Sequence, residues 1–75
     1  MNKAKRKQIQ QIIARVRDIE ELVQNILDAE QEAYDNMPES LQASENGMNS
    51  EEAQGNLEAA IDALEEAMSC LEEIC

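Results

Sequence analysis

After Arg17 the chain contains no lysine and no arginine, and it has no histidine, phenylalanine or tryptophan anywhere. It has one tyrosine (Tyr34), one proline (Pro38) and two glycines. Each shortage excludes something. Without histidine the serines and cysteines have no imidazole base beside them, so no nucleophile–base pair can be named. The same lack, with no calcium-loop spacing among the acids, argues against a specific metal site. No cofactor and no enzymatic activity are expected. Without aromatics among the basic residues there is no stacking platform for a single-stranded nucleic acid. Apolar runs last only a few residues, too short to span a membrane. The basic start, Met1 to Lys7, is not followed by the uninterrupted apolar stretch of a secretory signal. Cys70 and Cys75 lie five apart on one predicted helix and point in different directions, which disfavours an intrachain disulfide and fits a reducing cytoplasm.

What is present is helix-forming. The apolar residues are Ile, Leu, Val, Met and Ala, which favour helices but offer little bulk. An all-α, single-domain fold is expected. A chain of 75 residues buries only about 60% of its unfolded surface, so self-association is expected to complete the core.

Charge is segregated. Lys3, Lys5, Arg6, Lys7, Arg15 and Arg17 all precede the seventeen acidic residues, and the net charge is −11. Such a split speaks to partners and assembly. The acidic body would repel duplex nucleic acid, so general duplex binding is not expected. Lys3, Lys5, Arg6 and Lys7 remain candidates for phosphate or partner contact. Their plainer role is a solubilising helix start that pairs with the acidic second half.

From Ile9 the apolar residues step by three and four. Ile9, Ile12, Val16, Ile19, Val23 and Ile26 form a heptad seam, and Ile13, Leu22 and Leu27 widen it to the face of a bundle helix. Glu30 falls on the seam. One helix is predicted over about 3–36. A second, over about 50–74, carries a seven-residue repeat with its own seam of Leu57, Ile61, Leu64, Met68, Leu71 and Cys75. Ala53, Ala60 and Ala67 flank that seam on one side; Glu51, Glu58, Glu65 and Glu72 line the other. Asn49 or Ser50 is the expected N-cap. Folding back antiparallel sets 11–36 against 50–75, leaves a basic overhang of about nine residues, roughly 13 Å, and neutralises much of the charge internally. The flanks of Ile13, Leu22 and Leu27 are expected to stay exposed and to drive assembly into a helical bundle.

Residues 37–49 form a polar corner. Pro38 disfavours helix at Met37 and suits the first position of a short helical turn through about Ser44. Gly47 is expected to end that turn in a left-handed conformation. The corner is the candidate ligand site: Tyr34, Ser40, Gln42, Ser44, Asn46, Gly47, Asn49 and Ser50 supply hydroxyls, amides, a ring and close backbone approach. The alternative is a self-capping turn with its polar groups satisfied locally.

The stretch from Tyr34 through Pro38-Glu39-Ser40-Leu41-Gln42-Ala43-Ser44-Glu45-Asn46-Gly47, followed by the Leu-Glu-Glu-Ala-type repeat over Asn56 to Ala67, resembles small acidic proteins of phages and gut Firmicutes, mostly uncharacterised. Those carry arginine where Asn46 stands here. The resemblance covers about half the chain and implies a phage or mobile-element setting. By analogy with other small phage proteins, the expected function is a non-enzymatic anti-defence binding protein in the host cytosol. It would sequester a nucleotide messenger or block a host defence protein. The alternatives are a structural adaptor oligomer, or an acidic DNA mimic that uses Glu58, Glu65 and Glu72.

Overall fold

A computed structural model describes residues 1–75 as three helices and no strands: α1 (Lys3–Asp35), α2 (Glu39–Gln42) and α3 (Glu45–Glu72). No glycine or proline interrupts α1. It opens where the Asn2 Oδ1 accepts the Lys5 backbone N–H at 2.8 Å and stops just before Pro38, as the sequence predicts. α3 folds back along α1 in an antiparallel hairpin whose Cα trace measures 58 × 15 × 12 Å. No helix is long and apolar enough to cross a membrane.

Heptad letters describe the packing, with Ile13 at a in α1 and Ile61 at a in α3. The a and d positions of α1 are Ile9, Ile13, Val16, Glu20, Val23, Leu27, Glu30 and Tyr34. All are buried or half-buried, as are Gly47, Ser50, Gln54, Leu57, Ile61, Leu64, Met68 and Leu71 of α3. Only four large apolar side chains are buried, Ile13, Leu27, Ile61 and Met68, and each keeps a few per cent of its surface exposed. The core is thin, and polar groups interrupt it at Glu20, Glu30, Ser50 and Gln54.

Several expectations are corrected. The second long helix begins at Glu45, with Ser44 as its N-cap residue, rather than near residue 50. Gly47 lies within its first turn and has no positive φ. A Cβ on Gly47 would stand 2.6 Å from the Gln42 Cα and closer still to its carbonyl group. Glycine is required here because α2 ends against the opening turn of α3, not because the backbone turns left-handed.

The earlier start of α3 leaves the pairing of the two long helices close to that expected, since Tyr34 meets Glu51 and Glu20 meets Glu65. Cys75 Sγ reaches the Arg6 carbonyl at 3.7 Å, so the overhang shortens to the residues before Arg6. Internal neutralisation is slight: Arg17–Glu72, at 3.2 Å, is the one ion pair. The exposed flank of α1 is also different. Ile13 and Leu27, expected on it, are buried, and Leu22 is exposed as expected. Ile12, Ile19 and Ile26, expected on the seam, are exposed because the seam runs one position later through Ile13, Glu20 and Leu27.

Candidate functional site

The corner is built from backbone outward. Pro38 fixes the entry to α2, and its carbonyl accepts from the Leu41 and Gln42 amides at 2.9 and 3.0 Å. The Gln42 Nε2 donates to the Tyr34 carbonyl at 2.9 Å, tying α2 to the end of α1. Ser44 turns its hydroxyl back to the Leu41 carbonyl and does not cap α3 with its side chain. Gly47 then lets Gln42 approach α3. The end of α1, the four-residue α2 and the start of α3 are thereby tied together, with Asn36, Met37 and Pro38 linking the first two and Ala43 and Ser44 the last two.

Two polar bridges cross from α1 to α3 just behind the corner. The Tyr34 hydroxyl donates to Glu51. That bond holds the phenol proton and, with burial and the negative charges of Glu51 and Asp35, raises the Tyr34 pKa above its ordinary value. The Ser50 hydroxyl donates to Glu30 Oε1 at 2.7 Å and accepts from Gln54 Nε2 at 3.2 Å. Burial of Ser50 is therefore satisfied, and no buried side-chain polar atom lacks a partner.

The sequence-predicted site residues divide accordingly. Tyr34, Gln42, Ser44 and Ser50 have their side chains engaged within the protein, and the close approach at Gly47 is taken by Gln42. Ser40, Asn46 and Asn49 are exposed. Glu30, Glu51 and Gln54 complete the bridges and were not singled out for that role. A carboxylate on an apolar seam, as at Glu30, signals a donor opposite, but which donor depends on register. Leu41 and Met48, exposed to 48% and 58% on either side of Ser44, were also missed.

No lysine or arginine lies in the corner, whereas Glu30, Glu32, Asp35, Glu39, Glu45, Glu51 and Glu52 surround it. Its field repels anions. No three acidic or thiol side chains converge as a cation cage. The one concave feature, an open groove of about 270 Å³, lies elsewhere: Arg17, Glu20, Glu21, Gln24 and Asn25 line it along the polar side of α1. In its wall the Glu20 pKa is raised, because protonated Glu20 donates a hydrogen bond to Glu65; burial and the Glu65 charge add to the rise and Arg17 opposes it. Cys70 and Cys75 are free thiols at exposed positions.

These features define an all-helical hairpin with a locked acidic corner. No protein-family model, curated protein or solved structure matches the chain.

Proposed function

We propose that the chain is a non-enzymatic binding protein of the phage anti-defence kind, which acts stoichiometrically by docking its corner on a host defence protein. The observation that carries this reading is the corner's make-up. Leu41 and Met48 stand exposed on backbone held by Gly47, Gln42 and Ser44. Carboxylates lie around them, and Ser40, Asn46 and Asn49 are exposed to bond. Apolar anchors with a polar rim on a fixed support suit a protein interface. The sign of the rim calls for a basic surface on the partner. The phage setting comes from the resemblance carried by the Pro38–Gly47 motif. Sequestration of a nucleotide messenger has less support, because an anionic ligand would meet carboxylates and no cation in the hairpin's corner.

The test is phage plating on bacterial strains that each carry one defence system, with and without this protein. The wild type should restore plaques against at least one system. Leu41→Asp with Met48→Asp should abolish that restoration while helicity and mass stay unchanged. Restoration in no strain would overturn the anti-defence reading. Docking gives way to nucleotide sequestration on a different result: the Leu41/Met48 pair is silent, Ser40→Ala with Ser44→Ala is inactive, and native mass spectra show a small molecule retained by the wild type alone.

A further inference from the structure

α1 carries two apolar seams, and α3 covers one of them. Beside the covered a and d positions, Ile12, Ile19 and Ile26 at g remain 45%, 49% and 59% exposed, and Leu22 at c is 62% exposed. The flank of α3 on the same side is equally dry: Ala53, Ala60 and Ala67 occupy g, Ile74 follows just past the helix end, and all are exposed. An antiparallel pair brings g flanks together along one edge and e flanks along the other. The e edge is polar, with Arg17, Gln24 and Gln31 on α1 and Glu51, Glu58, Glu65 and Glu72 on α3, joined by the Arg17–Glu72 pair. One edge of the hairpin is wet and the other is dry.

The dry edge is large enough to matter. α3 has 28 residues. At 1.5 Å per residue and an interaxial spacing of 8–10 Å, the two helices present a face of about 40 by 20 Å, or about 800 Å². That is about one side of a standard protein interface.

Charge identifies what covers it. α1 runs against its own dipole: Lys3, Lys5, Arg6 and Lys7 stand at its positive end, and Glu32 and Asp35 at its negative end. Its first turn holds no acid and its last turn no base. Nothing within the hairpin compensates at close range, since of the six cations only Arg17 has a carboxylate within 4.0 Å. A second copy laid antiparallel along the dry edge, with a two-fold axis near Ile19, supplies that compensation. Ile12 then faces Ile26 of the copy, and the Lys3–Lys7 segment lies beside residues 31–35 of the copy. A parallel arrangement would set like charges together.

We propose that Ile12, Ile19, Leu22 and Ile26 form the self-complementary seam of an antiparallel homodimer, in which the basic start of each α1 lies along the acidic end of the other. This assembly does not depend on the corner's partner.

Sedimentation velocity at micromolar concentration should give the mass of two chains, with the association weakening as salt rises. Ile19→Asp should weaken it at least about tenfold, because the seam would then bury an unpaired carboxylate. Helicity should persist, since Ile19 is half exposed in the hairpin itself. In a Cys70→Ser, Cys75→Ser background, Ile19→Cys should cross-link to itself on mild oxidation. Ile12→Cys should cross-link only when mixed with Ile26→Cys. A mass of one chain, a dimer indifferent to a folded Ile19→Asp, or ready self-linking by Ile12→Cys would each overturn the proposal. Should Ile19→Asp lose its helicity, the cysteine pattern decides alone.

Discussion

The two long edges of the hairpin are made by the same two helices at the same heptad spacing, yet they have opposite characters. On the e edge, glutamates at 51, 58, 65 and 72 face arginine and glutamine. On the g edge, isoleucines at 12, 19 and 26 share a face with alanines at 53, 60 and 67. Solvent can satisfy the first edge and cannot satisfy the second. The thin core between them holds only four buried large apolar residues. The proposed homodimer makes the hairpin half of a larger structure on one side and leaves a finished surface on the other.

The contrast depends on register, and register depends on the corner, so the largest effect is expected there. Gly47→Ala should destabilise the fold by about 2 kcal/mol or more, because the new methyl group meets the Gln42 backbone. Gly55→Ala is the matched control. Nothing lies within 4 Å of a Cβ at that helical position, so the substitution should stabilise by about 1 kcal/mol. Urea unfolding of both variants checks the pair, and equal effects would remove the assigned role of Gly47.

A smaller effect is expected where the wet edge meets the core. The raised pKa of Glu20 means that the folded state favours its protonated form. Its contribution is therefore fully present below the ordinary carboxylate pKa and is lost as pH rises through the raised value. Glu20→Gln keeps a donor without the charge. It should match the wild type in acid, exceed it at neutral pH, and flatten the thermal midpoint across that window. Profiles that run parallel at all pH values would contradict the Glu20–Glu65 coupling.

The smallest effect belongs to the wet edge alone. Arg17→Ala removes the only ion pair, but its side chains are 64% and 52% exposed. Pairs of that kind contribute about 0.2–1 kcal/mol and are screened by salt. Thermal unfolding at low and high salt should show a loss in that range that vanishes at high salt.

Much of the architecture was legible in the sequence. The bounds of α1 follow from its unbroken periodicity and from Pro38, and the antiparallel hairpin follows from one corner between two long amphipathic helices. Three features were not legible, each for a physical reason. Gly47 reads locally as a helix terminator; its real constraint is the Gln42 backbone packed against it, a tertiary contact. The first helix has isoleucine at both a and g, as in Ile13 beside Ile12, so periodicity alone does not tell which seam meets α3. The polar seam residues Glu20 and Glu30 blur it further. At the corner, the composition showed the donors and acceptors, but their pairing of Tyr34 with Glu51 and Ser50 with Glu30 awaited the register.

The most direct test of the two-edged account is a dilution series followed through the isoleucine methyl resonances. Across the association midpoint, the signals of Ile12, Ile19 and Ile26 should shift together while those of Ile13 and Ile61 hold still. Shifts at Ile13 and Ile61, or stillness at all five positions, would contradict the division of α1 into an inner seam closed by α3 and an outer seam closed by a second copy.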